Sequence, residues 1–189
     1  MRSTKSCVAV GVTCLFSLAL ASCSTYTGPS SQSTQPTKSA RATPAGPPPN
    51  YASRIPKSIN TGVKTVVIDP NVHVWGAYAA NGELVKAGLT TAGGNWCADI
   101  GRSCRTRPGT FHVNSLGSAN CKSSIYPKPR GGAPMPYCMF FNGSQGLHGS
   151  YEVVEGNVSH GCVRLRVADA EWLRFNFINV GTKVVVKPY

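Results

Sequence analysis

The segment Ser159-His160-Gly161-Cys162 sets an imidazole, a glycine and a thiol side by side, and Leu147-His148-Gly149-Ser150 places a second imidazole beside another glycine shortly before it. A thiolate is a strong nucleophile toward carbonyl carbon, and a nearby imidazole takes the proton that generates it or stabilises the anion. Gly161 lets a substrate carbonyl approach the sulfur without a Cβ in the way, and backbone amides of a tight turn there can hold a developing oxyanion. Closed together by the intervening loop, His148, His160 and Cys162 form a Cys/His site for acyl transfer through a covalent intermediate. Zinc is the competing use of the same side chains, but no fourth ligand stands at a recognisable spacing, so no metal is expected. His73 and His112 fall within strand patterns and read as surface or packing residues.

Whether Cys162 stays a thiol depends on the compartment. Residues 1–22 carry Arg2 and Lys5, then an apolar run from Val8 to Ala21 that is short for a bilayer span, the layout of an export signal. The run ends in Leu20-Ala21-Ser22-Cys23, which resembles the lipobox of bacterial lipoproteins. That resemblance makes Cys23 the lipidated first residue of a periplasmic protein, and Ser24 after it implies anchoring to the outer membrane. Of the 8 cysteines, Cys7 and Cys14 leave with the signal and Cys23 goes to lipid, so Cys97, Cys104, Cys121, Cys138 and Cys162 remain. In an oxidising compartment four of these pair and one is left over. Cys97 and Cys104 flank a short Gly-containing loop, and Cys121 opens a Pro/Gly-rich segment that ends at Cys138. Pairing of neighbours is therefore expected, with the other connectivities open, and Cys162 is the thiol left over.

Export also reassigns the charge. The chain carries 19 Lys and Arg against 7 Asp and Glu, formally +12, which falls to +10 without Arg2 and Lys5. Outside the cytoplasm such a surface meets anionic envelope polymers and lipid headgroups, and nucleic acid is not an expected partner. Residues 23–61 are rich in Pro, Ser and Thr and read as a disordered tether, too poor in large aliphatic residues to offset its chain entropy. Residues 62–189 suit one folded domain.

Within that domain, short β-branched and aromatic runs at 64–69, 72–78 and 83–89 are separated by Asp69-Pro70-Asn71 and Asn81-Gly82, which predicts consecutive antiparallel strands. Further strands are expected at 109–113, 137–141, 162–165 and 183–186. One helix is expected over about 168–178, where Ala170, Trp172, Leu173 and Phe177 fall on one side. The fold class is mainly β, with one or two short helices.

The pair His148-Gly149-Ser150 and Ser159-His160-Gly161-Cys162-Val163-Arg164 resembles the signature of the L,D-transpeptidase catalytic domain (YkuD-like) family. TRPGTFHV at 106–113, MPYCMFF at 135–141 and the ending DAEWL…GTKVVV extend the similarity over roughly residues 62–187. The resemblance implies a lipoprotein member from a diderm bacterium, with a β-sandwich-like domain and the thiol at the mouth of a groove. It implies Cys162 as nucleophile, His148 as general base, and the Gly149 carbonyl orienting the imidazole. Ser159 and His160 would shape the pocket, and Gly161 and Cys162 would supply amide donors. Arg164 would pair with a carboxylate of a peptidoglycan stem peptide.

Two departures from the family pattern carry expectations of their own. The short loop between His148 and Ser159 implies a reduced pocket wall or lid. The four pairing cysteines imply a stapled insertion between Cys97 and Cys138. The activity implied is a cofactor-free transpeptidation: a thioester at diaminopimelate of the stem, release of D-alanine, and transfer to an amine. An amine of another stem gives a 3→3 cross-link, and one on an envelope protein gives wall anchoring. Water as acceptor would make the same site an L,D-carboxypeptidase. A chain keeping the fold without turnover would be a wall-binding or adhesion lipoprotein.

Overall fold

A computed structural model describes residues 50–189. The export signal, Cys23 and the tether up to residue 49 lie outside the described residues. The first three expected strands are β1 (Thr65–Asp69), β2 (Val74–Tyr78) and β3 (Leu84–Thr91), an antiparallel meander. The four further expected strands are β4 (Gly109–His112), β6 (Met139–Asn142), β8 (Val163–Arg166) and β9 (Lys183–Val186), and two not expected are β5 (Ser115–Leu116) and β7 (Gln145–Ser150). They form one sheet in the order β4-β9-β1-β2-β3-β8-β7-β6-β5.

β3 is the seam of that sheet. Its first part pairs with β2, whereas Thr90 and Thr91 at its end pair with Leu165 and Arg164 of β8. The two halves curl over a shared core, because Phe111 on β4 and Phe141 on β6, far apart in strand order, meet with ring centroids 5.4 Å apart. Ile68 and Trp75 from one half and Met139, Leu147, Val163 and Leu165 from the other are fully buried between them. The mainly β, sandwich-like expectation describes this architecture.

The expected helix is present in two forms. It begins as α1 (Val167–Trp172) and widens into a π turn over Leu173–Phe177, closed by the Ile178 N–H donating to the Leu173 carbonyl at 2.7 Å. The wider turn carries both Phe177 and Ile178 into the core beside Ala170 and Leu173. Trp172 instead lies at the rim, with the Lys86 ammonium 4.8 Å from its ring.

The folded region begins before residue 62. Residues 50–61, read from sequence as part of the tether, hold a 3₁₀ turn at Tyr51–Arg54 and bury Tyr51 and Ile55 with Val67, Val74, Tyr78 and Leu89, on the face of the meander away from the main core. The Tyr78 hydroxyl donates to the Pro56 carbonyl at 2.9 Å, and the Leu84 amide donates to the Lys57 carbonyl at 2.9 Å. Gly76 makes room for this strap, since a Cβ there would come within 2.5 Å of Ile55 Cδ1. The composition of the tether hid three apolar anchors, Tyr51, Ile55 and Ile59.

Ile55→Ala should therefore lower unfolding free energy by about 2–4 kcal/mol, as for a large-to-small change in a core. Urea unfolding of the two proteins measures it, and an unchanged midpoint would mean that the strap contributes nothing.

Candidate active site

Strand β7 runs parallel to β8, with Leu147 opposite Val163 and His148 opposite Arg164. Leu147 and Val163 point into the core, so the period-two alternation of a strand sends His148 and Arg164 to the other face. Cys162, just ahead of β8, shares that face by the same parity. All three line one cavity of about 380 Å³. Sequence thus placed His148 and Cys162 together, and the structure brings Ser159, His160, Gly149 and Arg164 to the same cavity.

His148 is buried, and its Nδ1 lies 2.8 Å from the Gly149 carbonyl oxygen. A carbonyl only accepts, so Nδ1 carries the hydrogen and Nε2 presents a lone pair. Burial holds the imidazole pKa down to about 4, opposed by the Gly149 bond and assisted by the Arg164 charge. Cys162 is pushed the other way: burial raises its thiol pKa, while a backbone hydrogen bond from Gly146 and the Arg164 charge pull it back. Its Sγ donates to the Ser144 carbonyl at 3.3 Å. At neutral pH the resting pair is a thiol and a neutral imidazole, which is the arrangement of nucleophile and general base, not of a preformed ion pair.

The turn carrying the thiol is fastened from behind. The Ser159 Oγ donates to the Cys162 carbonyl at 2.5 Å and accepts the Gly161 amide at 3.2 Å, and Thr106 Oγ1 donates to the Gly161 carbonyl at 2.9 Å. Gly161 has φ 115°, a conformation that favours glycine. Ser159 lines the cavity while its hydroxyl ties the turn, and the Gly161 amide, expected as an oxyanion donor, is engaged by that hydroxyl. Of the two amides expected as oxyanion donors, Cys162 remains. Ser159 N–H reaches the Ala92 carbonyl at 3.0 Å, and Gly94 N–H reaches the Ser159 carbonyl at 2.9 Å.

Both cysteine pairs are disulfides of neighbours, Cys97–Cys104 and Cys121–Cys138, and Cys162 is the free cysteine among the described residues. The Cys104 sulfur lies 3.2 Å from the Ser159 carbonyl, packed behind the nucleophile turn. The second staple encloses the segment that walls the cavity, including Lys122, Tyr126 and Met135. A shortened His148–Ser159 loop was expected to leave the wall reduced, but this segment supplies one. His160 bridges the two stapled loops: its Nε2 lies 2.8 Å from Asp99 Oδ2, and its ring lies 4.4 Å from that of Tyr126. Cys97, Asp99 and His160 gather potential metal-ligand atoms, but the Cys97 sulfur is committed to its disulfide. Sequence reasoning missed Asp99, Thr106, Ser144 and Glu152, which reach the site only through tertiary contacts. The stapled insertion was a signal for Asp99 and the TRPGTFHV segment at 106–113 for Thr106, whereas Ser144 and Glu152 had none.

The profile of the YkuD family, the L,D-transpeptidase catalytic domain, matches residues 59–186. No curated protein matches the chain. Among solved structures, it is similar to an L,D-transpeptidase (residues 123–326) from Xylanimonas cellulosilytica DSM 15894, with 24% identity and a TM-score of 0.58 over 71% of this chain and 66% of that one. An L,D-transpeptidase from Stackebrandtia nassauensis is 21% identical, with a TM-score of 0.54 over 70% of this chain and 59% of the other. L,D-transpeptidase 3 from Mycobacterium tuberculosis, solved with a faropenem-derived adduct, is 19% identical, with a TM-score of 0.53 over 67% of this chain and 60% of the other. At these identities the likeness is one of fold, and the chain spans 59 to 66% of the length of those three structures.

A stability profile tests the electrostatics of His148. Its pKa is lowered from 6.5 to about 4, so between those values the unfolded chain binds a proton that the fold refuses. The contribution is full above pH 6.5 and is lost as pH falls toward 4, about 3 kcal/mol in all. Between pH 7 and 4.5 the native protein should lose about 2–3 kcal/mol more stability than His148→Gln, measured by urea unfolding. Parallel profiles would contradict a buried, neutral His148.

Proposed function

Given that the chain belongs to the L,D-transpeptidase catalytic-domain family, we propose that it is a cysteine-dependent peptidoglycan L,D-transpeptidase. The observation that carries the proposal is the pairing inside one cavity of a free thiol, Cys162, with a buried imidazole whose Nδ1 is tied to the Gly149 carbonyl. That bond leaves Nε2 as the nitrogen free to act as base.

In the first half-reaction, Nε2 of His148 takes the Cys162 proton as the sulfur attacks the carbonyl of diaminopimelate in a donor stem. The oxyanion of the tetrahedral intermediate is held by the Cys162 amide. His148, now protonated, gives its proton to the leaving D-alanine amine, and a thioester remains on Cys162. In the second, an acceptor amine gives its proton to His148 and attacks the thioester, and the departing sulfur regains the proton. An acceptor on another stem yields a 3→3 cross-link, and one on an envelope protein yields wall anchoring; water would yield the L,D-carboxypeptidase outcome.

The place of action is part of the proposal. Export through residues 1–22, lipidation at Cys23 and outer-membrane anchoring on the periplasmic side would hold the domain against the wall, and the basic surface would favour that polymer. The two disulfides agree with an oxidising compartment.

Incubation with a diaminopimelate-containing tetrapeptide stem should release D-alanine and give mass-resolved 3→3 dimers. Cys162→Ala should abolish both, and His148→Ala should slow D-alanine release by about 10²–10⁴-fold, the usual worth of a positioned base. Release that persists in Cys162→Ala would overturn the proposal.

A further inference from the structure

Charge inside the cavity is sparse and arranged. Its lining includes one carboxylate, Glu152, and two permanent cations, Lys122 and Arg164. Glu152 Oε2 and Arg164 Nη1 face each other at 3.4 Å, near the outer limit of an ion pair, with the Glu152 side chain 83% exposed and that of Arg164 23% exposed. An exposed pair of this kind contributes about 0–1 kcal/mol, so separating it costs little. In a chain with 7 acidic residues against 19 basic ones, a carboxylate standing almost free at the mouth of the reacting cavity has no evident structural work.

The backbone of both residues is held, with the Glu152 carboxylate open to solvent and the Arg164 side chain largely covered. Arg164 sits in β8, paired with Thr91 on one side and His148 on the other, and its charge is felt at both His148 and Cys162. Glu152 is clipped by its amide donating to Ser150 Oγ at 3.1 Å, in the turn that follows β7. Opposite charges this close match a ligand that carries an ammonium and a carboxylate on a single carbon. Such a ligand would exchange one stretched exposed contact for two charge-assisted ones.

We infer that Arg164 and Glu152 form a subsite for the head group of an α-amino acid, its carboxylate on Arg164 and its ammonium on Glu152. The inference deepens the acyl-transfer proposal and rests on it. The head group has two possible sources with identical chemistry: the free end of diaminopimelate in the donor stem, or the acceptor, whose ammonium first loses a proton to solvent and then resolves the thioester as the free amine. Glu152 is thereby a specificity-determining residue of the reaction.

The test uses the full-length protein and ratios of kcat/KM, so that a general loss of activity cancels. Donor stems would carry at the third position diaminopimelate, lysine with the amine alone, or 2-aminopimelate with the carboxylate alone, and D-alanine release would be followed. In a second arm, the preformed acyl-enzyme would be resolved by a D-amino acid or by the corresponding amine lacking the carboxylate. Glu152→Gln should lower the diaminopimelate to 2-aminopimelate ratio about tenfold, and Arg164→Gln the diaminopimelate to lysine ratio by a similar factor, if the donor is read. Should the acceptor be read, Arg164→Gln should instead reduce the D-amino acid to amine preference in the second arm, with the donor ratios unmoved. If neither variant changes a ratio in either arm while the native protein releases D-alanine, the subsite is wrong and the acyl-transfer proposal stands. Absence of D-alanine release from the native protein with any donor would sink both.

Discussion

The parallel register of β7 with β8 is the constraint on which the site depends. It sets Leu147 against Val163 in the core and thereby turns His148, Arg164 and Cys162 to the cavity. A slip by one residue would drive the imidazole inward and expose Leu147, because side chains alternate with a period of two. The register is pinned from several directions. Thr90 and Thr91 of β3 pair with the far side of β8, and the Gly149 amide is tied to the Pro136 carbonyl at 2.7 Å. Gly146 lies so close to β6 that a Cβ would meet the Met139 carbonyl at 2.8 Å.

From that register follow the electrostatics. Desolvation lowers the His148 pKa and raises that of Cys162, so both groups rest uncharged. A thiol kept protonated is a slow partner in disulfide exchange, which suits a free cysteine in a domain that carries two disulfides. The reactive anion then forms only as the proton passes to His148. The Arg164 charge favours the thiolate and disfavours the imidazolium, so it eases ionisation of Cys162 while opposing proton uptake by His148.

Local chemistry made much of this legible. The meander of β1, β2 and β3 could be read from β-branched runs and turn dipeptides, and the disulfide pairs from neighbouring cysteines. The convergence of His148 with Cys162 was legible through a motif whose spacing bridges a parallel strand pair. Strand β7 was not, because Gly146 and Gly149 weaken its pattern while serving close backbone packing against β6 and Pro136. The strap around Tyr51 and Ile55 was lost in a window dominated by Pro and Ser. Asp99, Thr106 and Glu152 act through contacts made only after folding. The amide of Gly161 shows the same limit: sequence places it beside the sulfur, but only the fold shows that Ser159 Oγ already occupies it.

The central claim is that His148 rests as a neutral imidazole protonated at Nδ1, beside a protonated thiol. Nitrogen-15 NMR of the histidine rings at pH 7 tests it directly, because protonated and unprotonated ring nitrogens resonate far apart. The account predicts one pyrrole-like Nδ1 and one pyridine-like Nε2 for His148, with a single titration near the value of about 4 set by its burial, and the same signature in Cys162→Ala. Two protonated nitrogens at pH 7, collapsing to one when Cys162 is removed, would instead reveal a standing thiolate–imidazolium pair and contradict it.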